Sequence, residues 1–565
     1  MADLQEYIVT LYNFDELDAF YDDMETPGGN LYIPDRLVEV AHRRPISKNT
    51  HYMLTAEEAG LIKKDTRVID VISVSEIPNN TPCWTTPSQN FSKRWGMNPA
   101  DPVYNWGLKR CTIKQQIPHW YPDDSAENQI GTVSCGLSGK HVDVIIVDGQ
   151  FNPNHPSFSV NNDGTGGSRV VHYNWFSLDS VVKPNGNNLT EYDYSQDVNA
   201  GHGSHVAGIV AGNENGWARD ANIYNICPYY TNPNLNSFLG FLGYMWDYIR
   251  AFHASKPINP VTGVKNPTIV NCSYGAGSTF PYDTVTGAVT QINYRGTLIG
   301  DGINPVTFEQ GLIAGLQILG GQVFIPQIYY YDMADIEQAI ADGIIVVGAA
   351  GNSGLKIDKP GGVDYNNYVR ATEFGIAKNF YFNRGHTPAA SPNAICVGAV
   401  DLSAPQAVIA VGSEVKYGGS NCGPRVSVFA PGASIMSSWN LYNPNSSSFM
   451  MRNPRNPVYG NGYDSGTSMA SPQVCGVLAC VLEMYPTMTP AEALDYITHH
   501  AIADQLTDIP RDAISFGGDL QGAPNLYLYV YPERPTTNTV YPKVNYKPRP
   551  ATGKVYPRFK TRVYK

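Results

Sequence analysis

Charge is scarce in this chain of 565 residues, with Asp, Glu, Lys and Arg together making up 16% where about 25% is usual. A disordered or generally nucleic-acid-binding chain is excluded on that ground. No apolar run approaches the roughly 18 residues needed to span a bilayer. The start, Met-Ala-Asp-Leu-Gln-Glu, lacks the basic head and apolar stretch of a signal peptide. These absences exclude a membrane span and favour an intracellular or virion-associated location over Sec-dependent secretion. The nine cysteines include no C-x-x-C pair and are odd in number, so neither zinc-site spacing nor a disulfide framework is present. Several sit inside apolar segments such as Ile-Val-Asn-Cys272 and read as small buried hydrophobes.

Glycine and proline, by contrast, are plentiful at 53 and 41 residues, which implies many turns and short strands. The length allows roughly three or four domains, or one large core with appendages. Net charge is −11, unevenly spread. After Glu533 come nine basic residues and no acidic one, leaving 30 basic against 50 acidic side chains in residues 1–533. Val-Tyr-Pro recurs at Val530, Val540 and Val555, so 532–565 reads as an extended or disordered basic tail, either solvated or a strap for an acidic partner or particle surface.

Residues 1–76 read as a small α+β domain. Tyr7 to Leu11, Leu37 to Ala41, Tyr52 to Leu54 and Val68 to Val74 are strand candidates. Phe14, Leu17, Tyr21 and Met24 share one helix face. Thr55-Ala-Glu-Glu58 has capping-box spacing, in which hydroxyl and carboxylate satisfy free amides at a helix start. The order is β-α-β-β-α-β. Residues 77–100, with four prolines among Asn, Thr and Ser, have linker composition.

From about residue 101 short apolar strands alternate with helices. The strands are Val142–Val147, Ala221–Ile226, Thr268–Cys272, Ile344–Gly348, Ala394–Val400 and Val426–Ala430. The helices are His202–Ala211, Ser237–His253, Asp332–Asp342, Ser468–Tyr485 and Pro490–Ala501, the last with Thr489 as cap and Glu492 closing the box. This predicts an α/β fold, a doubly wound and mainly parallel sheet with helices on both faces.

Three residues stand where such elements meet. Asp148 ends a strand at the carboxyl edge of the sheet, where ligands of open α/β folds collect. His202, in Gly-His-Gly-Ser-His-Val-Ala-Gly, begins a helix of small residues and can serve as a base near neutral pH. Ser468 opens an apolar helix, where free amides and the dipole favour a developing anion. A serine hydroxyl is a poor nucleophile alone, so the three make sense together: His202 takes the Ser468 proton, and Asp148 fixes the tautomer and stabilises the imidazolium. Asn352 offers a carboxamide, and the Ser468 N–H a second donor, to a tetrahedral oxyanion. The rivals are weaker. Asp143 points to the opposite strand face, His205 lies deeper in its helix, and Ser465 and Ser471 merely flank the nucleophile.

With these motifs the chain resembles a subtilisin-like serine protease of the subtilase family. Gly466-Thr-Ser468-Met-Ala-Ser-Pro472 matches the family's nucleophile motif, Gly201-His202-Gly-Ser-His-Val-Ala-Gly208 departs only by Ser204, and Ala349-Ala-Gly-Asn352 matches the oxyanion segment. The resemblance covers about residues 101–531 and implies a serine endopeptidase acting on polypeptides. It implies substrate binding along Ser273, Tyr274 and Gly275 and along Ala349, Ala350 and Gly351. Residues 1–76 are similar to the family's inhibitory propeptide, ferredoxin-like in order, which implies a zymogen cut within 77–100.

There are departures from the pattern. Asp148 is followed by Gly149 and Gln150 where Ser or Thr and then Gly are usual, so one hydrogen bond to the aspartate is expected to be missing. Segments 157–199 and 276–330 are long, which predicts a walled or lidded cleft. Gly212–Trp217 is too short for the calcium loop of some relatives, so no cofactor is assigned and calcium stays open. The competing reading is a structural or virion-associated protein that keeps the fold with weak or no activity. An α/β-hydrolase esterase is disfavoured, because Gly-Thr-Ser-Met-Ala lacks the last glycine of the nucleophile elbow and the triad order is wrong.

Overall fold

The computed structural model describes residues 4–34, 38, 40–42, 49–73, 84–86, 89–90, 105–114, 130–182, 191–194, 201–228, 244–282, 288–373, 375–401, 414–444, 450–509 and 518–530. The chain divides into two compact units between Thr81 and Pro82. The tail 532–565 lies outside the described residues, as do 229–243 at the start of the helix expected from Ser237.

In the first unit the elements are β1 (Gln5–Leu11), α1 (Leu17–Glu25), β2 (Val40–His42), β3 (Asn49–Leu54), α2 (Ala56–Ile62) and β4 (Val68–Ser73). The sheet is antiparallel with order β2-β3-β1-β4, the ferredoxin-like arrangement. Helix α1 buries Leu17, Phe20, Tyr21 and Met24 against Val9, Leu11, Tyr52 and Leu54. Thr55 and Glu58 form the expected reciprocal box at the start of α2.

The second unit is built on a ten-stranded sheet. Its central strands are β5 (Asp143–Val147), β6 (Asn222–Ile226), β7 (Thr268–Cys272), β8 (Ile345–Ala349), β9 (Ile395–Asp401) and β10 (Val428–Pro431). They run parallel in the order β6-β5-β7-β8-β9-β10. Alternation along β5 sends Val144 and Ile146 to one face and Ile145 and Val147 to the other. The first face packs on α3 (Gly201–Ala211) and α6 (Thr467–Met484), the second on α4 (Met245–Ser255) and α5 (Tyr330–Ala341). Every one of these strands and helices overlaps one expected from the sequence. A seventh helix, α7 (Pro490–His500), starts at the capped Thr489. Because β5 has the next strand in sequence, β6, on one side and β7 on the other, it is the point where the winding reverses. In open α/β folds ligands collect at such a point, beyond the carboxyl ends of the strands.

Two expectations need correction. Part of the supposed linker 77–100 belongs to the second unit, because Trp84–Thr85 pairs with Ser134–Cys135 and Gln89–Asn90 with Ile130–Gly131. One indole explains the first pairing: Trp84 is buried, donates to the Trp217 carbonyl at 3.0 Å and carries the Arg219 guanidinium 3.7 Å above its ring. The two long segments also differ in kind. Segment 157–199 adds the edge strand Val170–Val171 and core residues Trp175 and Phe176. Segment 276–330 builds a lobe with its own core, in which Phe280, Ile292, Leu316 and Val323 pack on Val369 and Phe380 from the later hairpin Tyr368–Tyr381.

Candidate active site

Asp148 directly follows β5 at the switch point and is buried. Its Oδ1 accepts from the Gly149 amide at 2.8 Å and from His202 Nδ1 at 2.8 Å. The start of α3 can come this close because residue 203 is glycine, where an added Cβ would lie 2.0 Å from the Gly149 carbonyl oxygen. The other oxygen, Oδ2, is buried and has no hydrogen-bond partner among the described residues. Gln150 turns away and donates to the Asp193 carbonyl. The charge of Asp148 is the main cause that raises the pKa of His202 to about 9; burial opposes it, and the hydrogen bond and Asp464 add to it. With Nδ1 committed to Asp148, the proton on that nitrogen leaves Nε2 as the basic atom. The His202 side chain is 40% exposed, so this edge is reachable.

Across the packed pair α3 and α6, Ser468 lies in the first turn of α6, where amides have no intrahelical acceptor. Its hydroxyl donates to the Ser273 carbonyl at 3.1 Å and forms no hydrogen bond with His202. Asn352, just beyond β8, is held from one side only. Its Oδ1 accepts from the Thr467 amide at 2.9 Å and the Thr467 hydroxyl at 3.0 Å. The Thr467 hydroxyl in turn accepts from the Gly351 amide at 3.0 Å. The clamp engages only the oxygen of the Asn352 carboxamide, whose Nδ2 lies 3.0 Å from where a Cβ on Gly466 would be, and Asn352 and Ser468 line one pocket.

A pocket of about 450 Å³ opens beside Ser468 and Asn352. Of the expected substrate-binding residues, Ser273, Tyr274, Gly275, Ala349 and Gly351 line it and Ala350 does not. Ala350 is buried behind, and the Ser273 side chain is also turned inward, bonded to the Ser468 carbonyl at 2.9 Å and to Ser471 at 3.0 Å. Phe324, Thr279, Gln317 and Gln322 from segment 276–330 make a further wall. The rivals occupy other places. Asp143 pairs with Lys256 at the far end of β5, and buried His205 donates to the Ile435 and Gly462 carbonyls.

The sequence profile described as the subtilase family matches residues 139–522, more than half the chain. The chain belongs to the subtilase family. Among curated relatives it is 25% identical to "Subtilisin-like protease 8" of Arthroderma benhamiae over 423 residues, 72% of this chain and 59% of that protein. It is 32% identical to the "Cuticle-degrading serine protease" of Arthrobotrys oligospora over 144 residues, 25% of this chain and 27% of that protein. This subtilase therefore spans about three fifths of the length of the first of these relatives. A solved "cold adapted subtilisin-like serine proteinase" aligns at 19% identity with a TM-score of 0.42, covering 75% of this chain and 98% of that one.

Two side chains in this subtilase's site escaped the sequence reading. Thr467 lies inside the motif Gly-Thr-Ser and shows its role only through its bonds to Asn352. His386 lines the pocket from a loop that carries no motif; the preceding Arg-Gly turn and the following Thr-Pro were the only local signals. Among the described residues no group of three or more His, Cys, Asp and Glu is placed to hold a metal, and no helix is long and apolar enough to cross a membrane.

Proposed function

We propose that this subtilase is a serine endopeptidase in which Asp148, His202 and Ser468 form the catalytic triad and Asn352 the side-chain oxyanion donor. The observation that carries this reading is the 2.8 Å bond between His202 Nδ1 and Asp148, which in the neutral imidazole leaves Nε2 as the basic atom. The Ser468 hydroxyl turns from the Ser273 carbonyl toward that nitrogen when substrate binds. Catalytic hydrogen bonds are often long or unmade before substrate arrives. Neutral His202 then accepts the hydroxyl proton while Oγ bonds to the peptide carbonyl carbon. The oxygen that becomes negative takes hydrogen bonds from Asn352 Nδ2 and the Ser468 amide. Imidazolium returns the proton to the departing amine, leaving an acyl-enzyme, and water repeats the sequence to release the acid.

Residues 1–76 serve in this proposal as an inhibitory prosegment, cut away by the enzyme itself. Trp84 is buried in the second unit, which supports a cut N-terminal to it. Intact mass of fresh wild-type protein beside Ser468→Ala tests both points. A loss of about 9 kDa in the wild type alone is expected from the mean residue mass, 61.9 kDa over 565 residues. Equal masses would end the zymogen reading, and added fragment 1–76 that fails to inhibit mature enzyme would end the inhibitor reading. A structural protein that merely keeps the fold has no use for a carboxamide clamped by its oxygen in the pocket that Ser468 lines.

A further inference from the structure

The pocket beside Ser468 is lined by no Asp, Glu, Lys or Arg among the described residues. His386 is wedged between its two backbone walls. A Cβ on Gly275 would fall 2.0 Å from the ring's Nδ1, and one on Gly351 would fall 2.8 Å from Nε2. The side chain is buried. Its Nδ1 is 3.2 Å from the Thr387 carbonyl oxygen. A carbonyl oxygen only accepts, so Nδ1 carries the proton and Nε2 presents a lone pair. Burial lowers the pKa of this histidine, which keeps the ring neutral. Gln317, on the wall from segment 276–330, supplies a second acceptor, because its Oε1 is buried with no partner.

We propose that this pocket selects the residue whose carbonyl Ser468 attacks, accepting an uncharged side chain that donates hydrogen bonds, glutamine above all, with His386 as the residue that reads it. The proposal rests on the proteolytic reading and names its substrate class. A pocket opening at Ser468 and Asn352 receives the side chain of the residue being acylated. A cation there would lose its water with no carboxylate to meet it, and a carboxylate would place its lone pairs against those of His386 and Gln317. An apolar side chain leaves both acceptors buried and unmet. A hydroxyl or indole offers one proton, whereas the NH2 of a primary carboxamide offers two, one for each acceptor.

The test compares mature enzyme on fluorogenic peptides that differ only at this residue, with Gln, Glu, Met, Tyr or Arg. Expected is a kcat/KM for Gln at least about tenfold above Met, which has similar length and no donor, and about a hundredfold above Glu. His386→Phe keeps a ring and removes the acceptor, so the Gln to Met ratio should fall toward one. Labelling of Ser468 by a fluorophosphonate shows that the variant is folded. If the variant does not label, the wild-type ranking decides alone. Met, Tyr, Arg or Glu ranking above Gln in the wild type, or an unchanged ratio in folded His386→Phe, would overturn the proposal. A wild type that neither labels at Ser468 nor cuts any peptide would overturn the proteolytic reading beneath it, a failure distinct from a wrong ranking.

Discussion

The two halves of the site are built to different standards. On the nucleophile side the polar groups are cross-bonded: Thr467 holds Asn352 through two bonds and accepts from Gly351, and Ser273 bonds both Ser468 and Ser471. On the acid side one oxygen of Asp148 is buried with no donor. The first half has donors and acceptors that close on one another. The second has a carboxylate bonded through one oxygen only, and its charge raises the pKa of His202. In the proposed mechanism, positioning is thus over-determined where the oxyanion would form and lean where the proton would be handled.

The comparison breaks outright if neither half matters. Ser468→Ala and His202→Ala should each lower kcat by roughly a millionfold, the size found in subtilisin, and peptide turnover at wild-type rate would end the assignment. Next in size is Asp148→Asn, where an amide donating to Nδ1 would put the imidazole proton on Nε2, the wrong tautomer for a base. A fall of about 10⁴ in kcat is expected. Asn352→Ala should cost roughly 3 kcal/mol of transition-state stabilisation, again a subtilisin-derived size, read as kcat at saturating peptide. Were Asn352→Ala to cost more than Asp148→Asn, the ranking of the two halves would be reversed.

Thr467→Val sharpens the contrast. It keeps the shape and the amide bond to Asn352 but removes the hydroxyl that joins Asn352 to Gly351. Thr467 acts through Asn352, so kcat should drop about tenfold, one net hydrogen bond's worth, with KM unchanged. The Thr467→Val, Asn352→Ala double variant should be no slower than Asn352→Ala alone. Additive losses would show that Thr467 does something other than hold the carboxamide.

How much of this was legible beforehand follows from where the signals lie. Asp148, His202 and Ser468 sit at ends of elements whose apolar runs and small-residue stretches are local, and so are the boxes at Thr55 and Thr489. The sheet follows because short apolar runs such as Ile269–Cys272 are buried on both faces. The lobe of segment 276–330 was readable only as extra length, since Gln291–Asn293 pairs with Tyr368–Arg370 far along the chain and nothing local encodes that partner. Trp84 was lost among prolines for the same reason: its partners are Trp217 and Arg219. His386 is a lone histidine until two glycines just beyond separate strands, Gly275 and Gly351, close on its ring.

The smallest expected effect tests the lean half most directly. Only neutral imidazole can accept the Ser468 proton. With His202 raised to about 9 by Asp148, kcat/KM should climb about tenfold per pH unit below that value and level off above it. Gly149→Ser places a hydroxyl next to Asp148, in the position where the family's aspartate motif carries one. If that hydroxyl donates to the empty Oδ2, it spreads the carboxylate's charge and weakens its hold on the imidazolium. The midpoint should then move down, by less than one pH unit, with the plateau rate within a fewfold of wild type. An upward shift would mean that Oδ2 is not what raises His202. An unmoved midpoint, with the serine shown by its own structure to bond Oδ2, would mean that the missing donor has no bearing on how this histidine titrates.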